Sequence, residues 1–342
     1  MTIPTILRRH MRTTSNHLTR TGRTVAASLL AAGIVLGATT ASALEIKSSD
    51  VHPMGYPTTE AIKYFGELLN TWTDGRLSVT IYHSMQLGGE KEALEQVQLG
   101  ALEMTRVSVG VVGPIVDDFN AFNLPYVFRS VDHMHKVVDG AIGTELLNKL
   151  EAGGLIGLGY MDAGSRSFYN SKRDITSIDD LKGLKIRVMQ NPIFVEMVNA
   201  MGGNGLSVAF NELYTAMQTG VVDGAENNPP TYDGHKHFEI AGHYTLTEHL
   251  MVPEIFVFSK KVWDTMPALD RQLIRKASAL TVVRERELWA AREKVSLDRL
   301  REAGINVITN IDKGPFIEAT EPVRAKFGAK YTDLIARIQA VE

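Results

Sequence analysis

"LKGLKIRVMQNP", residues 181–192, alternates through its middle, with Leu184, Ile186 and Val188 on one side and Lys185, Arg187 and Met189 on the other. A period of two predicts a strand over 184–188, and Asn191-Pro192 then opens a helix over about 192–201. Arg187 is therefore a permanent cation set among apolar neighbours in a strand.

The same rhythm continues on both sides. Downstream, a strand is expected over 205–208, a helix over 211–219 and a short strand at 221–223. Upstream, strands are expected over 44–48, 77–82, 102–107 and 155–161, with helices over 58–72 and, opened by Gly88-Gly89, over 90–99. Short strands alternating with helices indicate an α/β fold with mainly parallel sheets. Composition turns polar and turn-rich around Gly164, as suits a crossing between domains. "MVPEIFVFSK", 251–260, is apolar enough to be a buried strand that returns the chain to the first domain. From Pro267 to about Ala303 a helical pattern runs without internal Pro or Gly, roughly 50 Å long, and is expected to span both domains. Residues 44–163 with 253–292 form the expected first domain, and 164–252 with 293–342 the second.

Residues 1–43 stand apart. Arg8, Arg9, Arg12, Arg20 and Arg23 come without any acidic residue, followed by an apolar run from Val25 to about Thr39 and by Ala41-Ser42-Ala43. A basic start, a short apolar stretch and a small-x-small site describe a secretory signal peptide cleaved near Ala43. Its removal takes five of the 36 basic residues, leaving 31 against 39 acidic ones, a charge of −8. So acidic a chain is a poor partner for nucleic acid, and an anionic ligand must be held by a local arginine cluster. The sequence holds no cysteine, which excludes disulfides, thiolate metal sites and a lipid anchor on cysteine.

Catalytic signatures are scarce. His-Glu-x-x-His, Walker and Gly-x-Ser-x-Gly motifs are absent, and Gly154, Gly157 and Gly159 fall in the wrong order for a dinucleotide fingerprint. The pairs His133/His135 and His235/His237 lie in segments that look helical, where i and i+2 do not share a face, so surface histidine is expected over metal ligation. No cofactor is expected. Arg106, Arg166 and Arg187 each fall near the end of an expected strand. In open α/β sheets ligands gather at the carboxyl ends of strands, and a guanidinium matches both oxygens of a carboxylate. Each taken singly also suits a solvated position or a structural ion pair.

"QLGGEKEALEQVQLGALEM" (86–104), "FNLPYVFRSVDHMHKVVDG" (122–140), "SFYNSKRDITSIDDLKGLKIRV" (167–188) and "FNELYTAMQTGVVDGAENNP" (210–229), in this order and spacing, resemble the DctP-type solute receptors of TRAP transporters. The likeness runs from about residue 44 to 310. It implies a periplasmic binding protein fold, with two α/β domains around a ligand cleft, joined by crossing strands and backed by one domain-spanning helix. It implies a monomeric periplasmic receptor, not an enzyme, which hands an organic acid to TRAP membrane permease subunits. Arg187, in Lys-Ile-Arg-Val, matches the family's carboxylate-gripping arginine. Arg166 matches a second ligand-contacting arginine, Asn227 a cleft asparagine, Phe210 an aromatic packed on the solute, and Glu90 an acidic group reaching it from the first domain. Phe210 also reads as core, Glu90 as a charge favouring its helix dipole, and Asn227 as a turn former before Pro229-Pro230.

Ala225 and Asn123 depart from the family's more usual Gln and Asp. "VHPMGYPTTEA" (51–61), "RVSVGVVGP" (106–114), "ENNPPTY" (226–232) and "LTEHLMVPE" (246–254) resemble the subset that binds hexuronates. That likeness implies D-glucuronate or D-galacturonate as ligand, with His52, Arg106, Asn228 and Glu254 reaching ring hydroxyls. With Arg187 aimed from its strand's carboxyl end into the cleft, Met189, Gln190 and Asn191 are expected to form the pocket wall that follows. Two alternatives stay open: a receptor for another organic acid, such as a C4-dicarboxylate or hydroxy acid, and a secreted sugar-acid lyase using His52 or Tyr214 as base.

Overall fold

The computed structural model describes residues 43–342; the signal segment expected over 1–43 lies outside them apart from Ala43. Eleven strands are present among the described residues: β1 Leu44–Ser49, β2 Leu77–Tyr82, β3 Met104–Ser108, β4 Leu155–Met161, β5 Arg166–Asn170, β6 Lys185–Val188, β7 Asn204–Ser207, β8 Gly224–Asn227, β9 His243–Leu250, β10 Glu254–Ser259 and β11 Asn306–Ile308. They form a first sheet in the order β2-β1-β3-β10-β4 and a second in the order β11-β9-β5-β8-β6-β7.

The sheets are mixed where mainly parallel ones were expected. β10 runs antiparallel to β3 and β4, and β5 antiparallel to β8 and β9. The cause is how the chain crosses. Strands joined through helices all end at the edges where the sheets face each other, so a short crossing must enter the next sheet from that edge. β5 follows β4 directly and β10 follows β9 directly, and each therefore runs backwards. Their first residues, Arg166 and Glu254, consequently sit level with the last residues of their neighbours. Arg166 reaches the ligand edge from the amino end of its strand, not the carboxyl end that the sequence suggested.

β8 begins three residues later than the strand expected at 221. Gly224 explains the shift: its Cα lies so close to β5 that an added Cβ would fall 1.9 Å from the Tyr169 carbonyl oxygen, so close pairing starts there. β5, β9 and β11 were not anticipated. β9 buries Thr245, Thr247 and His249 and has Glu248 at φ +47, which obscures any apolar alternation.

The helix expected from Pro267 spans Ala268–Glu302. Its buried positions, including Ile274, Ala277, Ser278, Thr281, Glu285, Trp289, Ser296 and Leu300, recur at three- and four-residue intervals and form one stripe. Near its start Arg76 grips Asp270 with two hydrogen bonds of 2.5 and 2.7 Å, tying it to the first sheet's layer. Near its end Ser296 donates to Asp233 at 3.0 Å, tying it to the helix Pro229–Gly234 of the second. At mid-length the carboxylate of Glu285 accepts from the Asp162 backbone N–H at 2.7 Å, holding the crossing between β4 and β5. The closing helix Thr332–Gln339, grouped by sequence with the second domain, docks on the first half, where Arg337 pairs with Glu145 at 2.7 Å and Gln339 donates to the Val127 carbonyl.

Candidate functional site

β6 is buried on both faces: Ile186 and Val188 enter the core, and Arg187 on the opposite side is 2 % exposed. Its Nε donates to the Val208 carbonyl at 2.7 Å, and the guanidinium carbon lies 5.5 Å from the centre of the Phe210 ring. Nη1 is buried without any hydrogen-bond partner, and no described carboxylate is ion-paired to this side chain. Burial lowers its pKa to about 10, with Glu226 the main opposing influence, so it stays charged at neutral pH.

Arg187 lines a small cavity between the two sheets, about 330 Å³ of space not filled by atoms and partly open to solvent. His52, Glu90, Arg166, Phe210, Asn227, Asn228 and Glu254 line it as well, so these sequence-selected residues, far apart in the chain, come together here. Val51, Ser108, Met189 and Thr231 complete the wall. Of these, only Met189 was anticipated; small and apolar side chains carry no chemical signature in a sequence.

The other arginines have different circumstances. Arg166 is clamped by Glu226, through Nε at 2.6 Å and Nη2 at 2.8 Å, and its Nη1 donates to Asn227 Oδ1 at 2.9 Å. Burial would raise Glu226, but Arg166, assisted by His249, overrides it and holds the carboxyl down at about 2. Arg166 thus meets the cavity already neutralised. Arg106 does not line the cavity; it lies fully buried behind it, bonded to both oxygens of Asp50, while Nη1 is shared between Glu90 and Glu254 at 2.7 Å each. Register explains the last contact: Arg106 pairs with Phe256 across β3 and β10, and Glu254, two residues from Phe256, points to the same face. The hydrogen bond expected from Arg106 to ligand is therefore replaced by support of two carboxylates that do face the cavity. Burial raises Glu254 to about 7, Arg106 offsetting this in part and Glu90 adding to it.

Asn191 lies outside the cavity. Its oxygen caps the helix Pro192–Ala200 by accepting from Ile193 N–H at 3.0 Å, and its amide donates to the Gly110 carbonyl and to Asn120, both at 3.0 Å. A residue preceding Pro at a helix start is spent on capping, and the same holds for the oxygen of Asn228, which accepts from Thr231 N–H at 2.8 Å. Asn227 Oδ1 is likewise committed, to Arg166 and to Asn228 N–H, so both asparagines offer the cavity their amide donors.

The histidine pairs depart from surface positions. His133 is buried against the Ile338 carbonyl, and His135 bonds Asp162 at 3.0 Å. Lys236 adopts φ +56, which breaks the expected helix and lets the His235 and His237 rings approach to 5.7 Å. His235 Nε2 then meets His52 Nδ1 at 2.9 Å across the cleft, while Tyr56 stacks on His52 with ring centres 3.7 Å apart. Burial keeps both histidines neutral: His52 is lowered well below its ordinary value and His235 to about 4. Among the described residues no His, Asp and Glu cluster suits a metal ion.

A model of the bacterial extracellular solute-binding protein family 7, DctP, matches residues 48–330. The chain belongs to this family. A TRAP periplasmic solute binding protein from Pseudomonas putida F1, solved with bound D-glucuronate, is 48 % identical, with a TM-score of 0.85 over 87 % of this chain and 98 % of that one. A second, from Bradyrhizobium sp. BTAi1, solved with galacturonate, is 44 % identical, with a TM-score of 0.84 over 86 % and 99 %. A solute-binding protein of Chromohalobacter salexigens is 36 % identical over 304 residues, 89 % of this chain and 90 % of its own. Family 7 members are receptors of TRAP transporters, and a lyase reading has no support in the relatives. Tyr214, a base on that reading, does not line the cavity; its hydroxyl donates to Glu239 at 3.2 Å. His52 is engaged with His235.

Proposed function

We propose that this family 7 receptor captures a hexuronate, D-glucuronate or D-galacturonate, and that Arg187 pairs with its carboxylate. The observation that carries this reading is a buried guanidinium with an unpartnered Nη1 at the cavity between the two sheets. A buried charge without a counter-charge is costly, and an incoming carboxylate removes that cost while satisfying both partners. Arg166 and the amides of Asn227 and Asn228 offer donors, while Glu90, Glu254 and His52 offer groups for ring hydroxyls. Phe210, fixed against Arg187, packs on the sugar ring. Both solved relatives described above were obtained with hexuronates, which supports the same ligand class here.

On this reading residues 44–163 with 253–292, joined by the closing helix Thr332–Gln339, and residues 164–252 with the rest of 293–342 act as two domains that close about the ligand as a hinge. The bonds from His52 to His235 and from Tyr56 to Thr231 belong to the closed form. The mature receptor, cleaved near Ala43, works as a monomer in the periplasm and passes its acid to the TRAP membrane permease. Titration calorimetry and a thermal-shift series with D-glucuronate, D-galacturonate, succinate and lactate test the ligand: uronates raise the melting temperature by mass action. Stabilisation by succinate or lactate and by neither uronate overturns the assignment. Mass spectrometry of ligand recovered after denaturation must return the acid unchanged.

A further inference from the structure

We propose that the cavity admits singly charged polyhydroxy acids and rejects dicarboxylic acids of the same carbon skeleton, because its first-sheet wall carries uncompensated carboxylates. This rests on the hexuronate reading and specifies what the far end of the ligand must be. Asp50, Glu90 and Glu254 all converge on the single guanidinium of Arg106, and Glu90 and Glu254 face the cavity. His52, on the same wall, is held neutral by burial and by the nearby Arg106. Glu254 is drawn up toward neutrality, yet even with it protonated, Asp50 and Glu90 outnumber Arg106. Among the described residues of the second-sheet wall, Arg166 is cancelled by Glu226, and Arg187 alone is unpaired. The cavity is thus bipolar, with one free cation on one side and excess negative charge on the other. A uronate's carboxylate completes Arg187, and its hydroxyl donors complete Glu90 and Glu254. A second carboxylate meets a wall with no spare cation, and like charges brought together in a desolvated site weaken binding by about 100-fold or more.

The test is competition calorimetry with four ligands, D-glucuronate, D-glucarate, D-galacturonate and galactarate, on the parent, on Glu90→Gln and on Glu90→Gln/Glu254→Gln. The expected parent binds each uronate about 100-fold or more tighter than its dicarboxylic counterpart, and the double substitution narrows that ratio at least about tenfold. Comparing ratios removes the difference in shape between ring and open chain, which is common to parent and variant. Glu90→Gln leaves Arg106 with two carboxylates and keeps the test open should the double variant fail to fold; it narrows the ratio in the same direction. Equal affinity for uronate and dicarboxylic acid in the parent overturns the inference while leaving the hexuronate reading intact. An unchanged ratio in the variants overturns it too, assigning the selection to shape. Failure of both uronates to bind the parent removes the hexuronate reading and this inference together.

Discussion

Replacing Arg187 by methionine separates two effects of one side chain that have opposite signs. In the ligand-free protein the guanidinium is a buried cation with one unpartnered nitrogen, and a donor left so costs about 1–3 kcal/mol. Methionine of similar length removes that cost but also the bond from Nε to the Val208 carbonyl, worth about 1 kcal/mol. The net expectation is a gain of about 1 kcal/mol, or a melting temperature higher by about 2–4 °C. Binding moves the other way. A uronate carboxylate buried without its guanidinium loses about 3–5 kcal/mol, which weakens Kd by roughly 150- to 4000-fold. Differential scanning fluorimetry after removal of co-purified ligand measures the first effect, and titration calorimetry with D-glucuronate the second. A variant that melts lower than the parent and still binds within tenfold refutes the argument at both ends, since Arg187 would then be a structural residue.

Glu226, held at about 2 by Arg166 against the desolvation that would raise it, adds stability at neutral pH that is lost as pH falls through that value, on the order of 3 kcal/mol in all. Urea midpoints between pH 5 and 2 should fall in the parent, and Glu226→Gln should remove this component while starting from a less stable protein. His235 is lowered to about 4 and His52 is lowered as well; protons bind the unfolded chain first, so stability falls as pH drops below about 6.5 and continues to fall toward 4. Melting temperatures from pH 7.5 to 4.5 should decline less steeply in His235→Gln, and equal slopes would contradict the burial of a neutral His235. A Cβ at Gly110 would meet Met189 at 2.8 Å and Phe194 at 2.9 Å across the cleft, so Gly110→Val should overpack the closed form by about 1–3 kcal/mol and weaken uronate binding by about 5- to 150-fold. Unchanged affinity by calorimetry would count against hinge closure at that contact.

Much of the architecture was legible because it depends on local periodicity. The helices Pro57–Trp72, Glu90–Leu99 and Ala268–Glu302 and the strand carrying Arg187 begin and end near where spacing, Gly88-Gly89, Pro192 and Pro267 place them. Asn191 was misassigned to the pocket because adjacency in sequence to Arg187 does not survive the turn into a helix, where capping claims its side chain. His235 and His237 were read as helical, and a single left-handed residue between them reversed their geometry.

By itself the sequence determined that the chain is α/β, that an acidic protein carries three arginines near expected strand ends, and that Arg187 lies in a strand among apolar neighbours. Those properties follow from residues a few positions apart. Only the tertiary structure decided what each arginine can do. Among the described residues, Arg106 has three carboxylates from positions 50, 90 and 254, Arg166 has one from position 226, and Arg187 has none. Those partners are brought in by strand register and by the two crossings between sheets. Electrostatic pairing acts over a few ångströms of space, whatever the distance along the chain, so the charge left free for a ligand is a property of the fold.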